Sequence, residues 1–112
     1  MNQQTIKRGE IYWVNLDPTI GSEIKKTRPA VIISNDAQNM VRKRVIVAPA
    51  TSVIKKIYPF EAKVMIGDKS SKIMLDQIRT VDCQRLGNKI CQLTLKETEE
   101  INKIIKLVLS LY

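Results

Sequence analysis

The strongest constraint on the fold is the way apolar residues are grouped. They come in short β-branched runs bounded by turn-forming clusters, and helical spacing is confined to the end of the chain. Ala30-Val31-Ile32-Ile33 and Val45-Ile46-Val47-Ala48 are dense enough to read as central strands covered on both faces. A first strand carries Ile11, Trp13, Val14 and Leu16 and ends at Asp17-Pro18, because proline lacks the ladder donor and fixes φ. Phe60, Ala62, Val64 and Ile66 alternate as a strand ahead of a Gly67-Asp68 turn, and Ser71 to Val81 reads as a further strand. The polar stretch between the two dense runs, from Asn35 to Arg44, fits a short helix or a loop equally well. Thr94 and Glu97 form a capping-box pattern, and Ile101, Ile104, Ile105 and Val108 follow at i, i+3, i+4 and i+7. The reading is a small, mostly antiparallel β-barrel or half-barrel with one amphipathic C-terminal helix packed on its side. A chain of 112 residues without a visible linker is expected to form one domain over 1–112.

Composition narrows the chemistry. There is no histidine, which removes imidazole triads, imidazole proton shuttles and His-ligated metal sites. Two cysteines, Cys83 and Cys91, do not complete a structural zinc site, and are expected as half-buried thiols flanking a turn rather than as a disulfide. The sequence contains no apolar run of transmembrane length and no secretory signal pattern, so it reads as cytoplasmic, with no membrane partner. Its formal net charge of +8 favours a polyanionic partner, nucleic acid first. That excess is skewed: residues 1–60 carry ten Lys+Arg and four Asp+Glu (+6), whereas 61–112 carry nine and seven (+2).

Three polar groups fall at the ends of expected strands, where a sheet holds a side chain rigidly. They are Arg28 in Thr27-Arg28-Pro29, the pair Thr51-Ser52 after Val47-Ala48-Pro49-Ala50, and Asp76-Gln77 in the Leu75 to Thr80 stretch. Each is ordinary alone; their co-occurrence is what points to a site.

Four segments, KRGEIYWVNLDPTIGSE (7–23), TRPAVIISND (27–36), VIVAPATS (45–52) and DQIRTVDCQRLGNKI (76–90), together resemble the MazF/PemK toxins, sequence-selective endoribonucleases of toxin–antitoxin systems. They run in the family's order and, with the terminal helix, span nearly the whole chain. The resemblance implies an SH3-like β-barrel of the CcdB/PemK type with a C-terminal helix. It also implies a homodimer, single-stranded RNA as substrate, a cognate antitoxin of the MazE type with an acidic C-terminal tail, and cleavage without a metal or other cofactor. It places the catalytic pair on Arg28 and Thr51, with Ser52 beside them. The implied reaction is attack of a ribose 2′-OH on the adjacent phosphate, leaving a 2′,3′-cyclic phosphate and a 5′-OH. Such chemistry needs charge stabilisation and proton transfer but no external nucleophile, which suits a chain without histidine. A guanidinium offers fixed donors that match phosphoryl oxygens, and a threonine hydroxyl adds another. Since a guanidinium stays protonated, Arg28 is read as an electrostatic stabiliser and as a proton donor to the leaving oxygen, not as a base. The branch of the family that uses an aspartate, an arginine two places earlier and a first-loop histidine is broken here, because Met74 and Ser22 stand at those two places while Asp76 remains. Asp76 is read either as a base or as a strand carboxylate paired with Arg79.

The first loop, with Ser22 and Glu23, resembles the family segment that closes over RNA, where Glu23 accepts a hydrogen bond from a base edge. Gln77 is a second candidate reader. Lys25, Lys26, Lys55 and Lys56 lie in two loops that the resemblance puts around the groove, and are read either as phosphate contacts or as solvated charges. Tyr12 and Trp13 point to opposite sides of the first strand, and with aromatics at only 4% of the chain Trp13 is read as packing rather than as a stacking platform. Two other functional classes stand beside the nuclease: a CcdB-type toxin that binds DNA gyrase without catalysis, and an RNA binder that does not cleave.

Overall fold

The computed structural model describes residues 5–17, 26–41 and 43–111. Seven strands form one antiparallel sheet: β1 (Glu10–Asn15), β2 (Thr27–Ile32), β3 (Arg44–Thr51), β4 (Glu61–Ile66), β5 (Lys69–Met74), β6 (Arg79–Asp82) and β7 (Leu86–Gln92). Helix α1 (Asp36–Val41) joins β2 to β3, and α2 (Leu95–Val108) follows β7. Along the sheet the order is β4-β5-β3-β2-β1-β7, with β6 paired to β3. The bend into a half-barrel is made at β3, which changes partners along its length. Its first half pairs with β6, from Arg44 opposite Asp82 to Val47 opposite Arg79, and its last residues pair with β5, Ala50 opposite Ile73 and Thr51 opposite Lys72.

Alternation along β1 and β3 splits the core between the two faces of the sheet. Tyr12, Val14, Leu16, Ala30, Ile32, Val45, Val47 and Val81 form one cluster. Ile11, Val31, Ala48, Ala50, Ala62 and Ile73 lie on the other, together with Ile101 and Ile104 of α2, which packs on β4 and on the turn that follows β5.

The dense runs and the alternating strand before Gly67 form as expected. Gly67, at φ +64, takes the first of the two hairpin positions, a backbone conformation that L side chains rarely adopt. Asp36–Val41 of the polar stretch after Ser34 form a helix. The Asn35 carboxamide accepts from the Gln38 N–H at 2.8 Å, and a buried Ser34–Asn39 pair ties the helix to β3 through the Ile46 N–H at 3.1 Å. One expectation about the strands is corrected. Residues 71–81 are not one strand: β5 ends at Met74, a 3-10 turn spans Leu75–Gln77, and β6 begins at Arg79. Burying Leu75 completely at this turn lets the chain leave β4's hairpin partner and cross to the first half of β3. β7 is a strand that the sequence does not announce. LGNKICQ lacks alternation, and its ladder with β1 carries register shifts on either side of Tyr12. Cys83 and Cys91 are free and half-buried, and burial, aided by Asp82, pushes the Cys83 thiol up. Cys83 opens a 3-10 turn, whereas Cys91 lies within β7.

The capping box at α2 forms and does more than cap. The Glu97 N–H donates to Thr94 Oγ1 at 3.1 Å, the Thr94 N–H donates to Glu97 Oε1 at 2.9 Å, and Glu97 Oε2 accepts from the Met65 N–H on β4 at 2.9 Å. Burial alone raises the Glu97 carboxyl, but the N–H groups of Thr94 and Met65, with the Thr94 hydroxyl, outweigh it and hold the carboxyl below its usual range. Because the folded pKa is lower than the unfolded one, this stabilisation is complete above the unfolded value, about 4.3, and is lost as pH falls through the folded value. Glu97→Ala is therefore expected to cost about 1 kcal/mol at pH 7, a fall in Tm of roughly 4–8 °C. Thermal melts should show the gap to wild type closing as pH drops from 5 to 3; a gap independent of pH would mean the carboxylate charge contributes nothing.

Candidate active site

β2 and β3 pair with Ala30 opposite Pro49 and Ile32 opposite Val47. Extending that antiparallel register by two residues puts Arg28 opposite Thr51, at the end of the sheet where both strands run out. The Arg28 guanidinium reaches Thr51 Oγ1 at a long 3.5 Å, and the Val53 N–H donates to the same oxygen at 3.1 Å. Long catalytic hydrogen bonds are common before substrate is bound. With its oxygen accepting from two donors, the Thr51 hydroxyl keeps its hydrogen to give.

Both residues line a cavity of about 400 Å³, together with Trp13, Lys26, Thr27, Pro29, Ala50, Ser52, Ile66, Lys69, Ser71 and Ile90. Arg28, Lys26 and Lys69 give this lining three cations, and among the described residues it has no carboxylate. Lys26 is held at φ +72, sparsely populated for a side chain other than glycine. Its N–H donates to Asp17 Oδ1 at 2.9 Å, and its carbonyl accepts from the Leu16 N–H at 3.2 Å, so the strained turn is fastened to the end of β1. That end is itself held by two guanidiniums. Arg79 donates to the Leu16 carbonyl at 3.0 Å, and Arg85 donates to the carbonyls of Asn15, at 3.1 Å, and Asp17. Several of the chain's basic groups thus hold backbone at the cleft's edge.

The structure brings together Arg28, Thr51, Ser52 and Lys26 of the residues singled out from sequence. Ser22, Glu23 and Lys25 lie outside the described residues. Lys55 and Lys56 sit on the exposed loop after Ser52 and not in the cavity lining, and Lys56 Nζ lies 4.8 Å above the Tyr58 ring. Asp76 and Gln77 also stand apart from that lining. They belong to the 3-10 turn and not to a strand, and Arg79 is engaged with the Leu16 carbonyl where a pairing with Asp76 was an alternative. Sequence reasoning missed Lys69 and Trp13. Trp13 is 44% exposed and lines the cleft, which corrects its reading as packing; alternation alone does not reveal this, since Ile11 on the same face is fully buried. A more open depression of about 760 Å³ lies beside α1, lined by Ala37, Gln38, Val41, Arg44 and Thr80. Its lining holds one cation, Arg44, and one hydroxyl, Thr80, against the three cations and the Arg28–Thr51 pair of the smaller cleft.

The family pattern described as the PemK-like, MazF-like toxin of type II toxin–antitoxin systems matches residues 7–109. The chain belongs to this family. A curated relative, the endoribonuclease MazF of Staphylococcus saprophyticus, is 39% identical over 112 residues, covering 96% of this chain and 93% of the relative. The crystal structure of MazF from Deinococcus radiodurans superposes with a TM-score of 0.85 at 25% identity, over 96% of this chain and 99% of that one. An endoribonuclease in complex with its cognate antitoxin from Mycobacterial species gives a TM-score of 0.81 at 22% identity, over 96% and 97%. The half-barrel with its C-terminal helix is thus the CcdB/PemK-type fold that the MazF/PemK resemblance implied. Among the described residues of this MazF/PemK-family toxin, no helix is long and apolar enough to cross a membrane.

Proposed function

We infer that this chain is an endoribonuclease toxin of a type II toxin–antitoxin system, and that Arg28 and Thr51 work on the scissile phosphate of single-stranded RNA. The observation that carries the reading is the Arg28–Thr51 pair at the mouth of a cleft lined by three cations and, among the described residues, no carboxylate. An anionic phosphodiester is the ligand such a lining favours.

In the proposed reaction the 2′-oxygen forms a bond to phosphorus as the bond to the 5′-oxygen breaks. The 2′-OH gives up its proton and the departing oxygen gains one, leaving a 2′,3′-cyclic phosphate and a 5′-OH. Arg28 meets the phosphoryl oxygens with its planar donors and stabilises the charge that builds there. Thr51, whose oxygen is held by Arg28 and Val53, donates its hydrogen to the same oxygens. Lys26 and Lys69 hold neighbouring phosphates from the rim, and Ser52 adds a hydroxyl beside Thr51. One relative is named an endoribonuclease and another is an endoribonuclease in complex with its cognate antitoxin; on this reading an acidic antitoxin tail covers the basic cleft, and the chain acts on RNA as a homodimer in the cytoplasm.

The test is to incubate the pure protein with a long unstructured RNA in EDTA and map the ends by primer extension. Discrete cuts at a recurring short motif are expected. Thr51→Ala should lower the single-turnover rate by about 10- to 100-fold with little change in Tm, since the residue sits half-buried at a cleft rim. An unchanged rate would remove Thr51 from the mechanism. No cuts at all from folded, antitoxin-free protein would overturn the nuclease reading.

A further inference from the structure

We propose that Trp13 is the stacking surface for an unpaired nucleobase next to the scissile phosphate, and so a substrate-binding residue of the cleft; this rests on the ribonuclease reading above. The cleft has two kinds of wall. Arg28, Lys26 and Lys69 make a cationic one, while Trp13, Pro29 and Ile90 make an apolar one, and about 400 Å³ lies within them. A nucleotide has the same division, an anionic phosphate beside a flat apolar base, and the volume lies in the range of small-ligand sites.

Trp13 is placed for this by the sheet. It shares a face with Ile11, which is fully buried in the core cluster, yet at its own position the indole is left 44% exposed. Its backbone lies in a strand flanked on both sides, with Pro29 opposite on β2 and β7 on the other edge, so the ring is carried on a rigid element. Gly87 on β7 is packed against it. A Cβ there would stand 3.3 Å from Trp13 Cβ and 3.4 Å from its carbonyl oxygen, so a side chain at 87 would press directly on the platform. Trp13 stands opposite Pro29 and next to Val14, whose partner on β2 is Arg28, so the exposed indole and the guanidinium come from neighbouring strands. Stacking on it needs no particular base edge, which leaves sequence choice to polar groups elsewhere in the groove.

Trp13 is the chain's one tryptophan, so its emission reports on this wall alone. The probe is an oligoribonucleotide spanning a mapped cut, with a 2′-deoxy sugar at the attacking position so that it binds without being cleaved. Expected are saturable quenching of Trp13 emission with the same Kd as fluorescence anisotropy of the labelled RNA, and loss of the quenching when one nucleotide flanking the scissile phosphate is made abasic. Trp13→Leu should raise Kd and KM by about 10- to 100-fold while the single-turnover rate at saturating RNA changes little, and Trp13→Phe should restore most of the affinity. Circular dichroism melts confirm that both variants fold. RNA bound by anisotropy without any change in emission, or Trp13→Leu binding as wild type, overturns the proposal and leaves the nuclease reading standing. A wild-type protein that neither binds nor cuts RNA overturns both.

Discussion

Arg28→Ala is expected to lower single-turnover cleavage by about 10²- to 10³-fold, the loss seen when one preorganised donor to a developing oxyanion is removed. The argument rests on where the guanidinium sits. Arg28 is half-buried at the start of β2, across from Thr51, in the cleft that Trp13 and Pro29 also line. Partial burial makes a fixed charge worth more there than on an open surface. Arg28→Lys should recover only a small part of the loss, because an ammonium keeps the charge but not the planar pair of donors that meets two phosphoryl oxygens at once. Binding of the uncleavable RNA should weaken far less than turnover in both variants, since Lys26 and Lys69 still line the cleft. Equal losses in binding and turnover would make Arg28 a general phosphate contact and not a stabiliser of the transition state. Intact toxicity of Arg28→Ala in cells, with cleavage lost, would point to toxicity through binding alone.

How far the sequence reveals this arrangement depends on whether a signal is local. The runs at Ala30 and Val45 and the Thr94–Glu97 capping pattern are local, and each forms the expected element. Arg28 and Thr51 meet because two strands with these boundaries pair in one register, which no local pattern records; only the family resemblance points to the pair. What was hidden is tertiary. β7 holds Gly87, Asn88 and Lys89 and gains its strand conformation from the ladder with β1, not from propensity. The break at Leu75 arises because β3 requires two partners, which no pattern within residues 71–81 records. Trp13 was misplaced because a lone tryptophan on an apolar strand is ordinarily core. Its exposure follows from lying at the end of a face that α2 covers elsewhere, through contacts with β4 and the turn after β5.

Ile101→Ala should be strongly destabilising without touching the chemistry. Ile101 is 2% exposed on α2 and joins the cluster of Ala48, Ala50, Ile73, Leu75 and Leu93, so alanine there leaves a cavity under the helix. Such losses run to about 2–5 kcal/mol, a large share of the roughly 5–15 kcal/mol that holds a domain folded. The expected fall in Tm is of order 10–20 °C. Leu107, on the same helix but 60% exposed, is the control: Leu107→Ala should stay within about 0.5 kcal/mol of wild type. Neither residue lines the cleft. Measured well below its melting temperature, Ile101→Ala should therefore cut RNA at close to the wild-type single-turnover rate, while at growth temperature its toxicity falls with the folded fraction. A slow rate in fully folded Ile101→Ala would mean that the packing of α2 sets the spacing of Arg28 and Thr51 through β3, whose Ala48 and Ala50 share that core and whose last residue is Thr51.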